Sequence, residues 1–140
     1  MTADRVTLPV PAHALPHRTP LELLTSARTT LDEAATIHTP GMRFATAHLA
    51  ALRAAAAVMA VRVRASRPSM HAKLPPVWEQ LPLVAPELAE WAQHFASTAT
   101  KRAAAEAGIP RTVTVAEADG MVRTAGQFVA VVEVMLGGAR

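Results

Sequence analysis

Apolar residues recur every three or four positions along most of this chain, a spacing that predicts helices rather than strands. The first helix is predicted from Thr19 to Thr39. It opens on Thr19-Pro20-Leu21-Glu22, a capping box with proline at the first helical position. Its predicted inner face contains Leu21, Leu24, Arg28, Leu31, Ala35 and His38.

A second, longer helix is predicted from Pro40 to Ser66, where Arg67-Pro68-Ser69 ends it. At 1.5 Å per residue it would be roughly 40 Å long. At 100° per residue, its larger apolar side chains share about 80° of arc and predict a core stripe. That stripe contains Ala45, Leu49, Leu52, Ala56, Met59 and Val63.

Residues 67–86 are proline-rich and predict a loop, in which Val77–Leu81 is the one candidate for a short helical turn. A third helix is predicted from Pro86 to Gly108, since Gly108 suits the position after a helix and Pro110 prevents its continuation. Its predicted inner face contains Leu88, Trp91, Ala92, Phe95, Ala99 and Arg102.

The fourth helix begins at a second capping box, Thr114-Val115-Ala116-Glu117, and ends at Gly137-Gly138. Val131 and Val134 lie off its core face. They indicate either a contact with a second subunit or two exposed valines without a role. The predicted core face contains Ala118, Met121, Val122, Ala125, Val129, Val132 and Leu136.

Four long helices with short connections predict an all-α, antiparallel four-helix bundle over residues 19–138, with a short fifth helix near 77–81 as an alternative to a loop. Residues 1–18 have no helical periodicity and predict a flexible N-terminal tail without the apolar region of a signal peptide. The apolar segment 44–63 contains His48 and two arginines, which are costly in a bilayer. We therefore expect a cytoplasmic protein that does not enter membranes.

Composition changes the picture of the core. Apolar residues make up 51% of the chain, but 31 of the 140 residues are alanine. Alanine adds little buried area, so such a core requires closely approaching helices and gains from a second subunit. The chain has no cysteine, which excludes disulfides and thiolate chemistry.

Charge is distributed unevenly, although the net charge is only +3. No acidic residue occurs between Glu33 and Glu79. Such asymmetry indicates an anionic partner such as RNA, a nucleotide or an acidic protein, and an arginine-rich composition explains it equally well. The basic residues of this acid-free segment are Arg43, Arg53, Arg62, Arg64, Arg67 and Lys73.

The order of these parts resembles the HEPN (higher eukaryotes and prokaryotes nucleotide-binding) superfamily, specifically its small actinobacterial branch. The resemblance rests on Arg43-Phe44-Ala45-Thr46-Ala47-His48-Leu49-Ala50-Ala51-Leu52-Arg53 with the alanines that follow, on Val84-Ala85-Pro86-Glu87-Leu88-Ala89-Glu90-Trp91-Ala92, and on Phe95. It covers residues 19–136. It implies a bundle of four or five helices, often a homodimer, and in many members RNA cleavage without a metal.

That cleavage depends in the family on an arginine followed by a histidine after four to six residues. Two segments match, Arg43 with His48 and Arg64 with His71. Random placement of these residue types would yield about as many matches. Arg43 and His48 also differ by roughly 140° around one helix, so they cannot converge unless the helix begins after Arg43 or a second subunit completes the pair. The alternative for His48 is a structural histidine at the edge of the core, with one ring nitrogen hydrogen-bonded.

Other residues suggest weaker sites. Arg102 is a candidate anion-binding residue at one end of the bundle, or a side chain that pairs with Glu106 and extends past the core. Trp78 and Trp91 could stack on bases but are more typical of packing anchors. We predict no metal site and no cofactor, because the sequence has no Glu-x-x-His pair and no phosphate-binding glycine loop.

Three hypotheses follow, in this order. The first is a non-catalytic, dimeric HEPN-type module that uses the basic segment to bind RNA, a nucleotide or an acidic partner. The second is a metal-independent endoribonuclease with an arginine–histidine pair across a dimer. The third is a protein-interaction module in which the charge is compositional.

Overall fold

A computed structural model describes residues 18–63 and 76–137 and shows an all-helical bundle with no strand in those ranges. Residues 1–17 of the predicted tail lie outside the described residues, as do Arg64, Arg67, His71 and Lys73. The helices are α1 (Pro20–Ala35), α2 (Pro40–Arg62), α3 (Val77–Val84), α4 (Ala89–Ser97), α5 (Ala99–Glu106) and α6 (Val115–Gly137), with a 3₁₀ turn at Pro86–Leu88.

The long helices alternate in direction, as an antiparallel four-helix bundle requires. On α1 and α2, the residue pairs Thr30/Arg53 and Ile37/Arg43 are in contact, so the two helices run in opposite directions. Arg28 on α1 pairs with Glu133 near the end of α6, which makes α1 antiparallel to α6 as well. Helices α4 and α5 together take the place of the remaining long helix of the four-helix bundle. The predicted fold class is confirmed, and the short fifth helix near 77–81 is α3.

Helix α2 occupies the centre of the bundle and packs against α1, α3, α5 and α6. The predicted stripe of larger side chains is not its most buried face, because Leu49, Leu52, Ala56, Met59 and Val63 are only partly buried. Small residues lie inside instead, since they let neighbouring helices approach closely. Besides His48, the fully buried side chains of α2 are Ala47, Ala50, Ala51, Ala54, Ala55, Ala57 and Val58.

The predicted third helix is interrupted. Thr98 separates α4 from α5, and its hydroxyl donates to the carbonyl of Phe95 at 3.1 Å. Ser97 likewise donates to the carbonyl of His94 at 2.6 Å. Such local hydroxyl-to-backbone bonds compete with the helical ladder, which explains a break at this sequence. The interruption leaves the Phe95 carbonyl available to a second helix.

Both predicted capping boxes and the predicted stop at Gly108 are confirmed, whereas α1 ends at Ala35 rather than Thr39 and α2 at Arg62 rather than Ser66. Thr19 and Glu22 exchange hydrogen bonds of 3.0 and 2.8 Å, and Thr114 with Glu117 does the same at 3.0 and 2.9 Å. After α5, Gly108 has a φ of +78°, a conformation that glycine adopts without strain. The amides of Gly108 and Ile109 return to the carbonyls of Ala105 and Ala104, which closes a Schellman motif.

Aromatic side chains fill one side of the bundle, where α3 and α4 meet α2 and α6. The Trp78 ring stacks on Phe95 with centroids 4.9 Å apart, and Phe128 lies 5.3 Å from Phe95 and 5.5 Å from Trp91. Trp78 is buried and Trp91 half-buried. Both tryptophan rings therefore pack against other aromatic rings in the bundle, as residues that anchor packing do.

Helices α2 and α6 are long and apolar enough, by length and composition, to cross a membrane. The central helix of a folded bundle passes the same test. Over half of the apolar window of α2 is buried within the bundle, and α6 buries one side against α1 and α2. Packing within the bundle therefore accounts for the apolar residues of α2, whereas only 28% of the α6 window is buried.

Candidate anion-binding groove between α1 and α2

Arg53 on α2 extends toward α1 and is held there by two hydroxyl groups. One terminal nitrogen, Nη1, donates to Oγ1 of Thr30 at 2.6 Å and to Oγ of Ser26 at 3.0 Å. Thr30 is 3% exposed, so its hydroxyl is fixed by packing. A buried hydroxyl thus orients the guanidinium, which lines a groove between α1 and α2.

The groove follows one face of α1. Its lining residues are spaced three or four apart, which places them on the same side of the helix. It is a shallow groove open to solvent, with a volume of about 780 Å³. Hydroxyl groups dominate its middle, and one carboxylate lies toward each end. The lining residues are Arg18, Leu21, Glu22, Thr25, Ser26, Thr29, Thr30, Glu33 and Arg53.

The charge of Arg53 is not neutralised by a carboxylate within the described part of the chain. Its hydrogen-bond partners are neutral hydroxyls, whereas four of the eight described arginines pair with a carboxylate. Arg28 pairs with Glu133, Arg43 with Asp119, and Arg62 with Glu87. An arginine in a hydroxyl-lined groove without a counter-ion has the donors and the charge to bind an oxyanion.

Arg43 has a structural position. Its Nε donates to the carbonyl of Ile37 at 2.8 Å, Nη2 donates to that of His38 at 3.2 Å, and Nη1 lies 2.6 Å from Asp119. Its side chain is only 15% exposed. Arg43 therefore joins the end of α1, the start of α2 and the start of α6, and its hydrogen-bonding capacity is largely used.

Arg62 and Arg102 are also committed to neighbours. Arg62 makes a two-pronged pair with Glu87, with N–O distances of 2.8 and 3.2 Å, and a further bond to the carbonyl of Val84. Arg102 pairs with Glu106 one turn on, at 2.6 Å. The pairing predicted for Arg102 is confirmed. Of the basic-segment residues that the structure describes, only Arg53 has its charge available.

His48 lies inside the aromatic cluster, deeper than the edge position considered from the sequence. Its ring is 1% exposed and meets Trp78 and Phe95 edge to face. Nε2 lies 3.0 Å from the Phe95 carbonyl, which only accepts, so Nε2 carries the hydrogen. Nδ1 has no hydrogen-bond partner in the described structure. One ring nitrogen is bonded, as the structural alternative predicted.

Burial lowers the pKa of His48 below its ordinary value, against the opposing effect of the Phe95 carbonyl. The nearby charge of Arg102 and the His94 ring lower this pKa further, while Glu106 raises it. A buried neutral imidazole costs free energy when it is protonated. His48 therefore stays neutral in the folded chain at pH values at which it is protonated in the unfolded chain.

We expect His48 to make the protein less stable in mild acid. Above pH ~6.5 the residue is neutral in both states; below it, the unfolded chain gains the proton first, and stability falls by up to about 1.4 kcal/mol per pH unit. Urea unfolding at a series of pH values from 7.5 to 5 measures the slope of the free energy of unfolding against pH. His48→Gln should flatten it, whereas His94→Gln, on the exposed side of α4, should keep it. An unchanged slope in His48→Gln would contradict this assignment.

The structure does not bring Arg43 and His48 together. Arg43 faces the α1–α2 connection, and His48 faces Phe95 in the core, so the two side chains share no cleft within one chain. The burial of His48 also separates it from any second subunit. The Arg64–His71 pair lies outside the described residues and stays a prediction.

Sequence reasoning missed the hydroxyl residues of the groove. Ser26 and Thr30 show no motif, and only the run Thr25, Ser26, Thr29 and Thr30 on one side of the first helix could have indicated a polar face near an arginine. Among the described residues, no group of three or more histidines and carboxylates could hold a metal ion.

These features define an all-α bundle built on a central alanine-rich helix. A groove between α1 and α2 contains hydroxyl groups and Arg53. A family model of HEPN-like domains matches residues 34–133, which is well over half of the chain. The chain therefore belongs to the HEPN superfamily, as its sequence pattern indicated. The match contains Arg53, whereas Ser26 and Thr30 precede it. Comparison with curated proteins and with solved structures gives no match.

Proposed function

We propose that this chain is a non-catalytic, dimeric HEPN module of the cytoplasm that binds RNA or a nucleotide through phosphate contacts in the groove between α1 and α2. The observation that carries the proposal is Arg53, whose guanidinium is oriented by Ser26 and Thr30 and has no carboxylate partner among the described residues. A fixed guanidinium can bind two phosphate oxygens at once.

The other basic residues have secondary parts in this proposal. Arg43 and Arg62 add to the positive potential, but each is already paired with a carboxylate. Arg64, Arg67 and Lys73 follow α2 in sequence and are proposed as additional contacts, although they lie outside the described residues. Such residues would strengthen binding in a salt-dependent manner without positioning the ligand.

Dimer formation is supported by apolar side chains left on the surface. Val134 on α6 is 75% exposed and Leu21 on α1 is 72% exposed. A core rich in alanine buries little area per residue, so covering such side chains with a second copy would add stability. Light scattering of the purified chain measures this directly, and a monomer at micromolar concentration would remove the dimer from the proposal.

The proposal predicts that Arg53→Gln weakens RNA binding by roughly tenfold or more, the loss typical of a charge-assisted hydrogen bond. Fluorescence anisotropy with a labelled single-stranded RNA at 50 and 200 mM salt measures the affinity and its salt dependence. Arg123→Gln is the matched control, since it removes the same charge from an exposed position on α6.

Equal losses in the two variants would mean that only net charge matters. Absence of RNA and nucleotide binding at the lower salt concentration would favour a protein-interaction module. RNA cleavage in EDTA that His71→Ala abolishes would contradict the non-catalytic assignment and identify an endoribonuclease.

A further inference from the structure

The middle of the groove differs from its two ends. Ser26 and Thr30 accept hydrogen bonds from the guanidinium of Arg53 and Thr25 and Thr29 line the same groove, whereas Glu22 and Glu33 lie toward opposite ends. Eleven residues of α1 separate the two glutamates, which corresponds to roughly 16 Å along the helix axis. The groove thus offers one positively charged, hydroxyl-rich centre between two carboxylates.

This arrangement is unfavourable for a nucleic acid strand that runs along the groove. Each strand of a helical nucleic acid carries a phosphate about every 3.4 Å along the helix axis, so a strand that followed the groove would place phosphates beside the glutamates as well as beside Arg53. Only one of them could reach Arg53. Those on either side would approach Glu22 or Glu33, and like charges at such distances repel.

A terminal phosphate fits the same centre well. A phosphate monoester has a charge of about −1.5 to −2 near neutral pH and three acceptor oxygens, whereas an internal diester has one charge. Arg53 supplies a positive charge at this centre, and the exposed hydroxyls of Thr25 and Thr29 line the same groove and can donate to the remaining oxygens. Arg18 precedes Glu22 and belongs to the end of the groove. The larger charge and the additional acceptor oxygens of a monoester therefore favour it over a diester at Arg53.

We propose that the groove between α1 and α2 selects a terminal phosphate monoester, either on the 5′ end of an RNA or on a free mononucleotide, over the internal phosphodiesters of a strand. This inference rests on the proposed function and makes it more specific. Thr30 acts as a positioning residue, because its buried hydroxyl fixes the direction of Arg53 without facing the ligand.

The test compares two RNA oligonucleotides of the same sequence, one with a 5′-phosphate and one with a 5′-hydroxyl, by anisotropy with the full chain. The 5′-phosphorylated RNA is expected to bind about tenfold more tightly, as one additional charge-assisted contact would give. Competition with AMP and with adenosine distinguishes the source. If AMP displaces the labelled RNA and adenosine does not, the site is assigned to a free nucleotide. If the 5′-phosphorylated RNA binds more tightly but AMP does not displace it, the site is assigned to an RNA end.

Two variants test the groove without depending on its folded core. The double substitution Thr25→Ala and Thr29→Ala removes exposed hydroxyls, and it should reduce the preference for the 5′-phosphate with little change in melting temperature. Glu33→Gln removes the carboxylate at one end of the groove and should raise the affinity for the 5′-hydroxyl RNA. The ratio of the affinities for the 5′-phosphate RNA and the 5′-hydroxyl RNA should therefore become smaller. Arg53→Gln should abolish the preference, whereas Arg123→Gln should preserve it.

The outcomes separate this inference from the proposed function. Equal affinity for the two RNAs, with binding still sensitive to Arg53→Gln, would overturn terminal-phosphate selection and leave phosphate binding at Arg53 intact. A Glu33→Gln variant with an unchanged preference would overturn the assigned role of the glutamates. Failure of both RNAs and of AMP to bind at low salt would overturn the inference and the proposed function together.

Discussion

Phe128→Ala is expected to lower the free energy of unfolding by about 3–5 kcal/mol, the cost typical of removing a fully buried phenylalanine. Phe128 is fully buried on α6. Its ring lies 5.3 Å from Phe95, 5.5 Å from Trp91 and 6.0 Å from Trp78, so it joins α6 to both α3 and α4. The substitution leaves a cavity among rigid rings that cannot close around it.

Urea denaturation followed by circular dichroism measures this loss. Leu83→Ala is the control, because Leu83 on α3 is 81% exposed and should change the free energy of unfolding by about 0.5 kcal/mol or less. The two-state slope should stay similar in both variants. A loss below about 1 kcal/mol for Phe128→Ala would mean that the aromatic cluster contributes much less than its burial indicates.

Ala54→Leu is also expected to be strongly destabilising and to lower the free energy of unfolding by about 1–3 kcal/mol or more. Ala54 is fully buried on α2, the helix that contacts α1, α3, α5 and α6. A larger side chain must separate packed helices, because a close-packed interior has no space for the three added carbon atoms. The added apolar area does not compensate for that displacement.

The matched control is Ala130→Leu, which makes the same change on the exposed side of α6. Leucine and alanine have similar helix propensities, so this control should unfold at nearly the temperature of the original protein. Thermal unfolding compares the two. If Ala54→Leu were as stable as Ala130→Leu, the close packing of α2 would not be a determinant of stability.

The fold was largely predictable from local signals. Both capping boxes, at Thr19 and Thr114, form as the sequence indicated, and Gly108 ends α5 as a glycine after a helix should. These signals act within a few residues of one another, so they do not depend on the rest of the bundle. The short helix near 77–81, which the sequence offered only as an alternative to a loop, is α3 and carries Trp78.

The packing of α2 was less predictable for a physical reason. Larger residues such as Leu52 and Met59 define an apolar stripe by their size, whereas alanine is compatible with both buried and exposed positions. In a central helix the closest approach of its neighbours requires small residues, so Ala50 and Ala54 became the fully buried positions. Periodicity alone does not reveal how many helices surround a given one.

The candidate site was predictable only in part. The acid-free segment indicated Arg53, but it could not distinguish that residue from Arg43 or Arg62, whose carboxylate partners are distant in sequence. Asp119 and Glu87 neutralise those two arginines through tertiary contacts. Which arginines keep an available charge is therefore a property of the fold.

The connection between α1 and α2 has a kinetic consequence. Only residues 36–39 separate these helices, so closing that hairpin costs little chain entropy. Helix α6, which completes the enclosure of α2, arrives from far along the sequence. The α1–α2 hairpin is thus expected to form early, with its alanine surfaces still in water, and the docking of α6 is expected to set the overall folding rate.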